Sequence, residues 1–513
     1  MKLRKGDRPF YALWLLFGLS LFQSISLLLW YWPGALPDAI TSGAWTALAY
    51  DFSEGIFYRP IWSENGFGGT RYMPIFFVLH GCLMRLFGDP VLAGVFLSLF
   101  SALLLGIGLC LILRELDLPW RLALPFAGII NCTISYQMTT LSIRGDFLAA
   151  AFNAWAVFCG LKFVKSRSHT LLMLTLILFI GAFLTKVTSL FGLLAVTFYL
   201  FSSDHKKYAL RLILGTGMGM GASLALIYYL SNGRALQSFL ECASGGMDLA
   251  YAGGLFIRFF HEIIHDPLLS VLFFPAVAIF ILRFSKDRRK LPILLFGATL
   301  AFTLLIYSSP GTASNHLVDL QVMMVVLLAT VFLAGHYRKW ISTAFVINSL
   351  LIILSWLPGT PSVKGFFREH QIPSRASVEY LKKSLEGTTS PVFSQNPMFP
   401  LLMTQRPFAS DFFNLNRLVS KYPAMREDLA EKITLQYFGA VIFSNWPGIF
   451  KKDIESTDDP HLWEKMDEFN RTSRMEKGLM ELITEYYEIR YVQRPYVFYF
   501  PQGLSNRGFG EVR

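Results

Sequence analysis

Residues 162–211 read KFVKSRSHTLLMLTLILFIGAFLTKVTSLFGLLAVTFYLFSSDHKKYALR, an apolar run at 170–202 closed at both ends by clusters of Lys and Arg. Chains cross bilayers as helices, and Lys and Arg are retained on the cytoplasmic side. Both ends of the run therefore lie inside, and the run crosses an even number of times. It is too long for one span of about 20 residues and suits two short ones. The only polar interruption, TKVTS at 185–189, is then the outer turn, and Lys186 stands in it.

The same parity orders the chain on either side. A first span, Tyr11–Tyr31, starts from a basic tail, MKLRKGDR, and lacks a small-residue cleavage site before WYWPG, so it reads as a retained helix and not a signal peptide. Residues 91–113 go in, 122–139 come out to the turn SIRGD, and 147–164 return. After the 170–202 pair come 209–230 outward, 267–284 inward, 291–308 outward, 317–335 inward and 341–357 outward. Segment 72–88, YMPIFFVLHGCLMRLFG, is short and carries Pro74, His80 and Arg85. If it crossed, KFVKSRSH, DHKKYALR and SKDRRK would all face outward. It is read instead as an interfacial helix in a first outer loop over 32–90. The expected fold is an α-helical polytopic membrane protein of about eleven spans with its N-terminus in the cytoplasm. The membrane domain is 1–357 and everything after it, 358–513, lies outside.

Composition agrees. With 53% hydrophobic and 16% charged residues, the chain is too apolar for an ordinary soluble enzyme. The net charge of +11 resides mostly in the tail and the inner loops, where it is topogenic and not a nucleic-acid-binding stripe. Cys82, Cys110, Cys132, Cys159 and Cys242 are scattered without CxxC spacing, which argues against a zinc site or a disulfide framework. Apolar density falls after Pro358. There, SPVFSQ, GAVIFSN and YVFYFP alternate with RASVEYLKKSLEG and REDLAEKITLQYF, the pattern of a small α/β domain.

Against this background the charges of the outer side stand out: Asp38, Asp51, Arg59, Arg71, Arg144, Asp146, Lys186 and His316. An ionisable residue in a membrane segment faces a cavity or a partner, because a charge costs about 2.5–3.5 kcal/mol at the bilayer centre. Lys186 has no acidic neighbour in sequence; phosphate binding and snorkelling to headgroups are its two readings. Arg144 and Asp146 can be a phosphate clamp with its counter-charge or a plain ion pair. Asp38, in PDAITSGAWTALAYD, can act as a general base or cap an amphipathic helix that follows it. His316 can bond a phosphate or sugar hydroxyl or simply sit in a surface loop. Asp51, Glu54 and Glu64 are too irregularly spaced to argue a metal site, and no cofactor is called for. The glycine run GTGMGMGAS lies inside a span and reads as helix packing, not a nucleotide loop.

Taken in order, PDAITSGAWTALAYD, EGIFYRP, TRYMPIFFVLHGCLMRLFG, SIRGDFLAA, FLTKVTSLFGLLA and PGTASNHLVDL resemble the GT-C glycosyltransferases. The likeness is to the polyprenyl-phosphate-sugar-dependent branch that includes the protein O-mannosyltransferases, aminoarabinose transferases and RgtA/B/C/D-like bacterial proteins. The resemblance implies transfer of a hexosyl or pentosyl group from a polyprenyl-phosphate donor to a lipid, glycan or protein hydroxyl, at the outer face of the inner (plasma) membrane. It makes Asp38 the base of an inverting reaction and assigns the donor phosphate to Lys186, Arg144, Arg59, Arg71 and His316, with Asp51 and Asp146 in secondary roles. The readings that compete with it are a transporter or flippase of lipid-linked saccharides and a non-enzymatic cell-envelope assembly protein. No internal repeat supports the first.

Overall fold

The computed structural model describes residues 8–31, 39–243, 253–287, 290–309, 312–335, 337–356, 375–386, 389–444, 475–493 and 496–503. Its chain forms two compact units. One comprises Met1–Pro33, Tyr72–Leu230 and Gly245–Arg368; the other comprises Gly34–Arg71, Ser231–Ser244 and Glu369–Arg513.

The first unit is helical. Among the described residues, seven of its helices are long and apolar enough to cross a membrane: Pro9–Leu29, Pro90–Glu115, Asp146–Ser166, Lys206–Leu230, Pro267–Phe284, Ser314–Leu333 and Arg338–Ser355. Shorter apolar helices are Pro74–Phe87, His169–Thr185, Phe191–Ser202 and Leu291–Ile306. The 170–202 run is thus two helices, and the break falls at Lys186, where the backbone turns extended after Thr185. Segment 72–88 forms the Pro74–Phe87 helix. It opens on Pro74, whose missing N–H costs nothing in the first turn, and closes on Gly88 in the left-handed conformation at φ 69°. Gly215 and Gly219 bring the Lys206–Leu230 helix against its neighbour, for a Cβ there would stand 2.5 and 2.2 Å from Leu176 Cδ1 and Ile180 Cδ1.

One expected span is not continuous. Residues 122–139 break into a helix at Trp120–Gly128, a 3-10 turn at Ile129–Cys132 and a second helix at Ile134–Leu141. Pro125 removes a hydrogen bond inside the first piece, and Thr133 caps the second. The freed backbone is satisfied from another helix. The buried Asp266 carboxylate accepts Ser135 N at 2.9 Å and Ser135 Oγ at 2.8 Å, and also Leu269 N at 3.0 Å, so it caps two helices at once. Gln321 Nε2 reaches Ser135 Oγ at 2.5 Å. The sequence pattern missed this because the segment's apolar content satisfies a span while its Asn, Thr and Ser serve a break. Replacing Asp266 with Ala orphans two helix N-termini and is expected to cost about 2 kcal/mol. A drop of several degrees in melting temperature in detergent checks it; an unchanged value would count against the double cap.

The second unit joins the Ala39–Ser53 helix and its loop to the α/β region. The expectation of an amphipathic helix here is corrected: residues 42–49 are buried without interruption, so no face of that stretch is left to solvent. Its loop carries a two-residue hairpin, β1 (Trp62–Ser63) with β2 (Gly66–Phe67), tied to the C-terminal region by Phe67 N to Phe408 O at 2.7 Å and Ser410 N to Phe67 O at 3.0 Å. Gly66 must be glycine, since its φ is +96° and a Cβ would sit 2.1 Å from Phe408 O. The sheet has order β3-β4-β6-β5, with β3 (Val392–Ser394) parallel to β4 (Ala440–Ser444) and the β4–β6 and β6–β5 pairs antiparallel. The three runs read as strand from sequence are β3, β4 and β6 (Tyr496–Pro501). The added strand, β5 (Tyr487–Gln493), reads YEIRYVQ; Tyr487 is buried and Ile489 exposed, and its pairing with β6 shifts register between Ile489 and Tyr491.

Candidate functional site

In the helical unit three turns meet. The first is the extended turn over 142–145, which carries Arg144 and leads into the Asp146–Ser166 helix; Asp146 is that helix's first residue. The second is the break after Thr185, where Lys186 ends the His169–Thr185 helix. The third is the turn Ser314–Leu317, which holds Asn315 and His316 and runs into the Val318–Leu333 helix. A carboxylate at a helix N-terminus complements the dipole, and both Asp146 and Asp319 occupy such first turns.

These turns converge on one carboxylate. Asp146 Oδ1 accepts Lys186 Nζ at 2.6 Å and Asn315 Nδ2 at 2.9 Å. Arg144 and His316 act on the same carboxylate electrostatically. Lys186 and Asp146 both act on Asp319, whose Oδ1 is sealed from solvent and has no hydrogen-bond partner among the described residues. Arg144 and Asp146 are buried, with side-chain exposure of the Lys186–Asp146 pair at 17% and 8%. The two helices that carry the carboxylates are also the candidate spans most enclosed by the rest of the chain. Lys186 therefore has an acidic partner, but one 40 residues away in sequence, which local reading could not supply.

The cluster gathers three cationic or hydrogen-bonding groups, Arg144, Lys186 and His316, around a fixed counter-charge. Asn315 and Asp319 were not read from sequence. Asp319 carried a usable signal, a carboxylate inside an apolar stretch one turn past His316.

The remaining candidates belong to the second unit. Asp51 lies between two guanidiniums, Arg59 Nε at 2.7 Å and Arg406 Nε at 3.2 Å. Arg59 is 3% exposed and also donates to Pro407 O at 3.1 Å, so it fastens the first loop to the C-terminal region. Arg71 lies over the ring of Phe413, 5.0 Å from its centroid. Asp38 is outside the described residues; it immediately precedes the Ala39–Ser53 helix. Burial pushes the Cys242 thiol in this unit up to about 12, with Asp411 adding to the shift.

No protein-family model matches the chain, and no curated protein matches it. Solved structures do match. The oligosaccharyltransferase of Archaeoglobus fulgidus in its apo form aligns at a TM-score of 0.55 and 12% identity, over 94% of this chain and 73% of that one. ArnT from Cupriavidus metallidurans bound to undecaprenyl phosphate aligns at 0.52 and 12% identity, over 93% of this chain and 97% of that one. AglB from A. fulgidus in complex with an inhibitory peptide and a dolichol-phosphate aligns at 0.52 and 13% identity, over 85% and 69%. These neighbours are GT-C glycosyltransferases, and the chain has their fold.

Proposed function

We propose that this chain is a polytopic membrane glycosyltransferase that moves a sugar from a polyprenyl-phosphate donor to an acceptor hydroxyl at the extracytoplasmic face, with inversion. The observation that carries the reading is the meeting of Arg144, Lys186 and His316 around Asp146 at three helix turns, in a fold shared with ArnT and AglB. The ArnT structure holds undecaprenyl phosphate and the AglB structure a dolichol-phosphate. The corresponding group here is the donor phosphate, met by the cationic cluster.

Asp38 takes the proton of the acceptor hydroxyl, the hydroxyl oxygen attacks the anomeric carbon, and the bond to the lipid phosphate breaks. The departing phosphate gains negative charge as that bond breaks. A cation fixed beside it therefore binds the transition state more strongly than the ground state. Lys186 exchanges Asp146 for a phosphate oxygen, and Asn315 keeps its bond to the carboxylate that Lys186 leaves. In this reading the N-terminus and the basic loops are cytoplasmic, the Pro74–Phe87 helix lies in the outer interface, and 358–513 is extracytoplasmic.

The test is sugar transfer by the purified full-length protein in nanodiscs, offered a panel of radiolabelled polyprenyl-phosphate sugars with a membrane extract as acceptor. Label passing from one donor into a lipid, glycan or protein is the expected result and names the sugar. A folded protein that transfers from none of them returns the chain to the transporter reading.

A further inference from the structure

The second unit contains a cationic pair that the proposed chemistry leaves unused. Arg417, on the Phe412–Lys421 helix, stands 5.8 Å from the centroid of the same Phe413 ring that Arg71 covers at 5.0 Å. Two like charges do not share a ring for stability alone, because a cation–π contact at a half-exposed site is worth only about 0.5–1 kcal/mol. Burial lowers the Arg417 guanidinium from its ordinary value, and the charge of Arg71 adds to the shift.

Their donors are mostly unspent. Arg417 gives one hydrogen bond, from Nη1 to Cys242 O at 3.1 Å. Among the described residues, no hydrogen bond or ion pair occupies the Arg71 guanidinium. The nearby carboxylate does not answer either of them directly. Asp411 spends its oxygens on Asn414, accepting the backbone N–H at 3.1 Å and Nδ2 at 2.7 Å, and acts on Arg71 only through space. The cluster thus carries two guanidiniums, one committed carboxylate and an apolar ring. A guanidinium presents a fixed fork of donors that matches a phosphate or carboxylate edge.

We propose that Arg71 and Arg417 form an oxyanion clamp over Phe413 that holds an acidic group of the acceptor, a phosphate or carboxylate on a glycan. The clamp rests on the transferase reading only for the identity of its ligand. Arg417 comes from the C-terminal region, which gives that region a share in substrate recognition.

Equilibrium binding to the full-length protein in phosphatidylcholine nanodiscs tests it, with undecaprenyl phosphate, glucose 6-phosphate and glucuronate as probes. Arg417→Gln and Arg71→Gln are each expected to weaken glucose 6-phosphate or glucuronate by about tenfold or more, with undecaprenyl phosphate as the control, and Arg417→Lys by less. A loss with either soluble sugar identifies an acidic acceptor as ligand; a loss confined to undecaprenyl phosphate overturns the acceptor clamp. Because Arg71 bonds no backbone, Arg71→Gln carries the test if Arg417→Gln does not fold. Unchanged binding of all three probes in folded Gln variants overturns the clamp. Binding is read without turnover. A protein that transfers no sugar yet loses binding in these variants keeps the clamp and loses the transferase reading. One that transfers normally with binding unaltered loses the clamp alone.

Discussion

Lys186→Ala is expected to lower the rate of sugar transfer about a hundredfold or more, a few kcal/mol of barrier, as befits a fixed cation beside a leaving phosphate. The alternative is that Lys186 exists only to neutralise Asp146, to which it is bonded at 2.6 Å. The two roles separate in a double variant. Removing Lys186 alone leaves a buried carboxylate short of one partner, which destabilises the fold; removing Asp146 as well takes that burden away. If the pair is structural, Lys186→Ala with Asp146→Ala recovers both melting temperature and transfer. If Lys186 works on the phosphate, the double variant recovers the melting temperature and stays slow. Transfer by the double variant at the wild-type rate would refute the role given to Lys186.

Asp38→Asn carries the second large effect, a loss of about a hundredfold to ten-thousandfold, the range that a positioned general base contributes. The choice of Asn matters. Asp38 stands directly before the Ala39–Ser53 helix, where a capping role competes with the catalytic one, and Asn caps a helix as well as Asp does. The substitution therefore removes the base and keeps the cap. Wild-type stability with transfer collapsed supports the base; wild-type stability with transfer intact leaves Asp38 as a cap alone.

Much of the membrane architecture was legible because the bilayer imposes one rule on backbone hydrogen bonding and one on charge. The turn at Lys186 is the best case: TKVTS is the sole polar break between two basic clusters, and the helices end there. What escaped reading depends on residues that meet only in three dimensions. Lys186 finds Asp146, Asn315 joins them from far along the chain, and Arg59 shares Asp51 with Arg406. The broken 120–141 segment escaped for a related reason. Its Pro125 and Thr133 were visible, but the carboxylate that makes the break tolerable comes from Asp266.

The segments of the second unit lie far apart in the chain, at Gly34–Arg71, Ser231–Ser244 and Glu369–Arg513. At synthesis rates of about 5–20 residues per second, the first segment leaves the ribosome roughly 15–60 s before the last begins to follow. Through that interval Asp51 and Arg59 exist without Arg406 and Pro407, and the β1–β2 hairpin has no Phe408 to bind. Emergence of the Glu369–Arg513 segment, and not insertion of the helices before it, is thus the event that completes this unit. A nascent chain stalled before Glu369 would carry a first loop open to proteases that the full-length protein resists.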